Sequence, residues 1–424
     1  MLITHCSQVI PLTPSPQRGS QLGELNILTG SAVLIRGERI EEIADEASLI
    51  RRFPDESRLD ARGHAVLPGL VDSHTHLVFA GDRAAEFESR LQGKTYQEIM
   101  SAGGGINSTV RATRAATPED LLEQTRIRAF GLLQNGTTTA EAKSGYGLEL
   151  KSELDQLEVL LRLDEEGPLA IAPTFLGAHA IPPEFAGNAE GYARQIYEIM
   201  LPEVHSWWQK RAPGRSLPFV DVFCEKGAFS LDQTQSILQK AKNLGFPLKV
   251  HVDEFENLGG CRLAVELGAA SADHLVKTSP EDIRALAQSE TVAVALPCTP
   301  FGLADPQFTP AREILAEGGL LAVASDLNPG TAWCESMQFV IALSSRYLHL
   351  LPAQALAAAT INAAAAIRRS DRIGSLHPGK DADIIILSVP DYRQLAYRFG
   401  GNLVERVIKR GKLVVDRTME HPIF

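Results

Sequence analysis

The chain has little cysteine, no surplus of positive charge and no long apolar run, and each shortage excludes something. Its five cysteines, Cys6, Cys224, Cys261, Cys298 and Cys334, are scattered with no C-x-x-C pair, which argues against a disulfide framework and points to reduced cytosolic thiols. A net charge of −11 leaves no basic excess to neutralise phosphates, which argues against a nucleic-acid partner. No stretch is apolar enough for a membrane span. The opening residues, MLITHCSQVIPLTPSP, lack a charged segment followed by an apolar one, so no secretory signal is expected and a cytoplasmic location is. Gly103-Gly104-Gly105 lack the Lys-Ser/Thr of a phosphate loop and read as flexible loop.

What is present is an ordinary globular composition, 44% hydrophobic and 22% charged, over 424 residues. A (β/α)₈ barrel needs about 250 residues, so a barrel plus an accessory domain is the expectation. Apolar or β-branched runs mark Val66–His76, Thr137–Lys143, Ile171–His179, Val220–Glu225, Leu248–Glu254, Ala272–Leu275, Val292–Cys298 and Leu320–Asp326. Helix-like segments lie between them, among them Pro118–Leu133, Glu153–Leu163, Gln233–Lys242, Pro280–Gln288 and Ala311–Glu317. Thr117-Pro118-Glu119-Asp120 and Ser279-Pro280-Glu281-Asp282 carry capping signals. Strands alternating with helices predict an α/β fold, here a closed TIM-like barrel. The Ala-rich run Ala353–Ile367 reads as one packed helix. Residues 83–116 read as a long segment before the first strong helix signal and a candidate lid.

The flanks differ. Ala32–Ile35 and Ile40–Ile43 at one end, and Asp383–Leu387, Val404–Ile408 and Leu413–Val415 at the other, read as short hairpin strands. Neither flank is long enough to build a sizeable core alone. They are expected to combine into one small β-sandwich domain, with residues 1–65 and 373–424 flanking a barrel of 66–372.

The chemistry gathers at strand ends. His74-Thr75-His76 closes the first run, and side chains two apart on a strand share a side. By itself such a pair is as readily two polar residues at a strand end. His179, His251, His274 and Asp326 recur at the same ends of later runs, where a barrel's active-site mouth lies. Imidazole and carboxylate ligands suit one zinc or iron ion with an open position for water. Glu254, three residues after His251, is the candidate base for that water, or else a loop carboxylate. Asp253 reads as structural. Lys143 reads as a salt-bridged or substrate-facing lysine, which points to one metal rather than two. Arg83, seven residues after His76, suits a substrate carboxylate, though a solvated loop arginine fits as well. Tyr146 sits between glycines in Ser144-Gly145-Tyr146-Gly147, as an inward donor or an aromatic cover. Asn328-Pro329-Gly330-Thr331 offers amide and hydroxyl groups to a ligand, or is simply a turn.

Pro68-Gly69-Leu70-Val71-Asp72-Ser73-His74-Thr75-His76 resembles the first-strand signature of the amidohydrolase superfamily. Its continuation, Leu77-Val78-Phe79-Ala80-Gly81-Asp82-Arg83, with Arg90-Leu91-Gln92-Gly93-Lys94-Thr95-Tyr96 and Lys143-Ser144-Gly145-Tyr146-Gly147-Leu148, resembles the imidazolonepropionase family more narrowly. Thr174–His179, His251–Phe255, Ser325–Gly330 and Ala382-Asp383-Ile384 extend the likeness. The resemblance implies one Zn2+ or Fe3+ per chain on His74, His76, His251 and Asp326. It implies substrate contacts at Arg83, Tyr146, His179, Glu254, Asn328, Gly330 and Thr331. Glu254 and His274 would activate water, and Asp326 would pass a proton to the leaving nitrogen. The implied reaction is hydrolysis of the ring amide of 4-imidazolone-5-propanoate to N-formimino-L-glutamate in histidine breakdown, and a homodimer is usual for such barrels. A cytosine or guanine deaminase would share the metal ligands but would not need Arg83 with Tyr146. A non-catalytic scaffold would not need the ligands at all.

Overall fold

The computed structural model describes residues 1–94 and 104–418. Thr95 and Tyr96 of the resembling stretch, and Gly103 of the glycine run, lie outside the described residues. Eight parallel strands form one sheet in sequence order: Leu70–Asp72, Thr137–Lys143, Ala170–Ala178, Phe219–Cys224, Lys249–Val252, Ser271–His274, Val292–Ala295 and Leu321–Val323. The first and last meet just beyond their ends. A parallel bridge joins Thr75 to Leu327, the Asp326 N–H donates to the His74 carbonyl at 3.0 Å, and the His76 N–H donates to the Leu327 carbonyl at 2.8 Å. The sheet is thereby a (β/α)₈ barrel. Covered on both faces, its strands read as continuous apolar runs and are buried at nearly every position.

Local sequence sets the helices around it. Pro118–Gln134 starts at a capping box. Thr117 Oγ1 accepts the Asp120 N–H at 3.1 Å, while the Thr117 N–H donates back to Asp120 Oδ2 at 3.3 Å. Ser279 caps Pro280–Ala287 in the same way, accepting the Asp282 N–H at 3.2 Å. Such caps satisfy N–H groups that the first turn leaves unpaired, and each is worth about 1 kcal/mol.

Two further sheets come from both chain ends. Leu2–Thr4, Ser31–Arg36, Arg39–Asp45 and Arg58–Asp60 form one; Gln8–Val9, Ala65–Pro68, Ile384–Leu387, Val404–Lys409 and Lys412–Asp416 form the other. Their inward residues share a core, in which Ile3, Val33 and Ile35 of one sheet pack with Val66, Ile384, Ile386 and Ile408 of the other. The pair makes a small β-sandwich.

Three expectations need correction. The run Val66–His76 is not one barrel strand: Ala65–Pro68 pairs antiparallel with Ile384–Ile386 in the sandwich, and only Leu70–Asp72 enters the barrel. Gly69 makes the transfer between them, where a Cβ would overlap the Thr138 side chain. The Ala-rich run is two helices, Pro352–Ala358 and Ile361–Ala366, divided at Thr360, whose hydroxyl donates back to the Leu356 carbonyl at 2.6 Å. The segment 83–116 contains helices at Ala84–Leu91 and Ile106–Ala115. All five cysteines are free thiols. No helix among the described residues is long and apolar enough to cross a membrane.

Candidate metal and substrate site

The mouth of the barrel gathers His74, His76, His179, His251, His274 and Asp326. Ring centroids of His74 and His251 are 4.4 Å apart, and those of His76 and His251 are 5.4 Å apart. Asp326 Oδ1 lies 3.5 Å from His74 Nε2 and 3.4 Å from His76 Nε2, and the Nε2 atoms of His76 and His251 are 3.3 Å apart. Two overlapping triads have ligand atoms within 4.8 Å of one another: His74, His76 and Asp326, and His74, His251 and His274. Each residue stands at a strand end, which the barrel topology turns toward one point.

The donor set fits a metal. His74 Nε2 and Asp326 Oδ1 are buried without a hydrogen-bond partner, at a cost of about 1–3 kcal/mol per such group. His74 Nδ1 donates to Asp273 Oδ2 at 2.6 Å, so its Nε2 lone pair is the one directed at the cluster. Burial holds His74 and His76 well below the usual imidazole range and brings His274 down to about 3. Burial thus favours the neutral imidazole, the form that binds metal. A divalent cation is the chemistry this cluster serves.

A buried ionic layer supports the histidines from beneath. Lys143 donates to Glu141 Oε1 at 2.8 Å and to Asp221 Oδ2 at 2.9 Å, and all three side chains are fully buried. Burial opposes the Lys143 ammonium, but Asp221, Glu141 and Asp273 outweigh it and raise its pKa. Asp221 Oδ2 also lies 3.0 Å from His251 Nδ1, off the line of a good hydrogen bond. Lys249 donates to Ser271 Oγ at 2.5 Å and sits 3.3 Å from Asp273 Oδ2. Lys143 is thus the salt-bridged member of its two readings. Glu141, Asp221, Lys249 and Asp273 were not among the residues singled out from sequence. Their signal was charge inside apolar strands: Lys249 shares a strand side with His251, and Glu141 with Lys143.

Two candidate site residues carry backbone strain. Asp326 (φ 53°) and His274 (φ 79°) are in the left-handed region, which non-glycine residues adopt at a cost of about 1–3 kcal/mol. Glu254 sits beside them, its Oε2 3.6 Å from His274 Nε2. Burial, with the Asp326 and Glu225 carboxylates nearby, raises Glu254 well above the usual carboxylate range. Glu225 fixes the following loop by accepting the Phe255 N–H at 2.9 Å. Asp253 is structural, accepting the Thr278 hydroxyl at 2.7 Å.

The remaining candidates line the same mouth. Tyr146 is buried, with its ring 5.9 Å from His76 and 5.3 Å from His179. His179 stacks on His76 at 4.8 Å, and its Nδ1–H donates to the Gly145 carbonyl at 2.9 Å, leaving Nε2 as an acceptor. Asn328 Oδ1 accepts the N–H groups of Gly330 and Thr331, both at 2.8 Å, which shapes the loop after the eighth strand. Arg83 is not a solvated loop charge. Its guanidinium pairs with Glu86 and packs on Gly330, where a Cβ would overlap Nη1.

The amidohydrolase family profile matches residues 65–414. An imidazolonepropionase of Herpetosiphon aurantiacus is 51% identical, covering 97% of this chain and 96% of that relative; one of Chloroflexus aggregans is 48% identical, covering 98% of each. Among solved structures, 5-methylcytosine deaminase of Klebsiella pneumoniae superposes with a TM-score of 0.74 over all of both chains at 18% identity. E. coli guanine deaminase superposes with a TM-score of 0.71 over 98% of this chain and 99% of its own at 16% identity. At such identities the structures speak for the fold, while the sequence relatives speak for descent, and the chain belongs to the imidazolonepropionase family of amidohydrolases.

Proposed function

We propose that this protein hydrolyses the ring amide of 4-imidazolone-5-propanoate to N-formimino-L-glutamate, as a cytoplasmic step of histidine breakdown. The observation that carries the reading is the joint placement of two features. Unpartnered histidine and carboxylate atoms converge at the barrel mouth, and Arg83 is packed on Gly330 in the loop following Asp326. A ring amide with a carboxylate tail needs both. An uncharged base, the substrate of the deaminase reading, leaves Arg83 without a ligand.

In this reading His74, His76, His251 and Asp326 hold one Zn2+ or Fe3+ per chain. The bound ion supplies Lewis acidity and a water of lowered pKa. Arg83 fixes the propionate tail, and Tyr146 and His179 bracket the ring between the tail and the histidine cluster. Glu254 takes the proton of the attacking water, a role its raised basicity suits. His274, kept neutral by burial, donates to the oxygen that gains charge. Asp326 takes the second proton of the added water from the adduct and passes it to the departing ring nitrogen, while the proton held by Glu254 is released to solvent as the carboxylate product leaves. Asn328, Gly330 and Thr331 shape the loop that seats the substrate. The division into residues 1–65, 66–372 and 373–424, with the strand Ala65–Pro68 now counted with the sandwich, and a homodimer, belong to the same proposal.

The test is loss of ring absorbance of freshly made imidazolonepropionate, for wild type and Arg83→Ala, with metal analysis of the same preparation. Turnover with about one metal per chain is expected, together with a loss of about tenfold or more in kcat/KM in the variant, the worth of a charge-assisted hydrogen bond. Metal-loaded protein without turnover would discard this substrate and leave the amidohydrolase site standing.

A further inference from the structure

Arg83 is not alone at the tail-binding end. The helix Ala84–Leu91 places Glu86 and Arg90 four residues apart on one face. Arg90 Nη2 donates to the Gly330 carbonyl at 3.0 Å, and Arg90 Nε is buried with no partner among the described residues. Two guanidinium groups therefore reach the same residue, Gly330, one over its α-carbon and one at its carbonyl. Glu86 sits between them. One of its oxygens accepts from Arg83 Nε at 3.1 Å, and the other accepts the Gly105 N–H at 2.7 Å. Burial acts against the Glu86 carboxylate, but Arg83, the Gly105 N–H and Arg90 outweigh it and keep it ionised.

The charge count follows. Glu86 neutralises one of the two arginines and leaves one positive charge unmatched among the described residues of the cluster. Glu86 also uses Nε and one terminal nitrogen of Arg83, leaving Nη1 against Gly330 without such a clamp. An unmatched charge beside an unpartnered buried N–H is a place for one carboxylate.

We propose that Arg90 is a second carboxylate-binding residue acting with Arg83, and that Glu86 is the positioning residue that holds Arg83 ready for a monocarboxylate tail. The proposal rests on the reading of Arg83 as the tail-binding residue and adds the rest of its recognition unit. Selectivity for the acid over a neutral tail then comes from the helix 84–91, outside the barrel strands.

Calorimetry with two non-hydrolysable probes, imidazole-4-propanoate and imidazole-4-propanamide, on metal-loaded protein separates the possibilities. Wild type prefers the propanoate. Arg90→Ala lowers that preference about tenfold or more, the worth of one charge-assisted hydrogen bond, and moves the propanamide less than about twofold. Arg90→Lys keeps the charge without the fork and falls between the two. Glu86→Asp keeps the charge but draws the carboxylate away from Arg83, so it lowers the preference by loosening Arg83 alone. Equal losses on both probes, or an unchanged preference in Arg90→Ala and Arg90→Lys, would overturn the proposal. If wild type itself shows no preference, the tail-binding reading of Arg83 fails first.

Discussion

Two layers of the barrel interior are equally buried and treat their polar groups in opposite ways. At the mouth, His74 Nε2, His76 Nδ1, His274 Nδ1 and Asp326 Oδ1 have no hydrogen-bond partner among the described residues. One layer beneath, Lys143 is shared by Glu141 and Asp221, and Lys249 sits against Asp273 and Ser271. Buried polar groups are costly unless paired, so the lower layer is what folding by itself produces. The upper layer is a set of ligands withheld from the protein. Asp273 and Asp221 connect the two, each facing a lysine below and a mouth histidine, His74 or His251, above. The lesson is that exposure does not separate structural from functional polarity here; convergence does. The unpaired Asp221 Oδ1 and Asp273 Oδ1 below belong to carboxylates paired through their other oxygen, whereas the ligand atoms at the mouth gather within 4.8 Å of one another.

Substitutions should therefore divide by layer. The largest effect belongs to the mouth. Glu254→Gln is expected to lower kcat by about 10²–10⁴, the usual contribution of a general base, with metal content and unfolding midpoint close to wild type. A variant whose activity falls together with its metal content, and returns when metal is added in excess, would move Glu254 from the proton to the ligand set. Beneath, the reverse is expected. Lys143→Met leaves Glu141 and Asp221 as buried carboxylates without their cation, a loss of about 3–5 kcal/mol of stability. Urea unfolding of the variant measures it. An unchanged midpoint would mean that the carboxylates take up protons instead and that the pairing contributes little. Asp273→Asn tests the link between the layers. The amide still reaches His74 Nδ1 but no longer fixes its N–H donor state, so metal affinity should fall about 10–100-fold. A competition titration with a chelator reads this directly.

The barrel was legible because period and punctuation agreed. Thr137–Lys143 was found at its observed bounds, and the cap at Thr117 marked the start of its helix to the residue. The candidate site was legible because histidines recur at strand ends, so His74, His76, His251, His274 and Asp326 could be named before any coordinates. What escaped had local patterns that the tertiary context overrode. Val66–Pro68 and Leu70–Asp72 read as one run, because an apolar strand looks alike in a sandwich and in a barrel and only the clash awaiting a side chain at Gly69 separates them. The alanines on both sides of Thr360 all favour helix, so the break there is invisible to propensity. Asp221 and Asp273 went unnoticed because one charge in an apolar strand says little until its partner, far away in sequence, is known.

The smallest effect sharpens the comparison at its rim, where packing rather than pairing prepares the site. Gly330 does not have a positive φ, so its backbone conformation would accept a side chain. What forbids one is Arg83, whose Nη1 occupies the space a Cβ would take. The neighbouring N–H groups of Gly330 and Thr331 are held by Asn328, so the loop cannot easily recede, and the guanidinium has to move instead. Gly330→Ala should thus act as a mild displacement of Arg83. KM should rise about three- to tenfold with kcat nearly unchanged, the signature of lost ground-state binding, and the unfolding midpoint should barely move. If kcat falls and KM does not, the loop positions the reacting ring rather than the tail, and Arg83 would have to be reassigned with it.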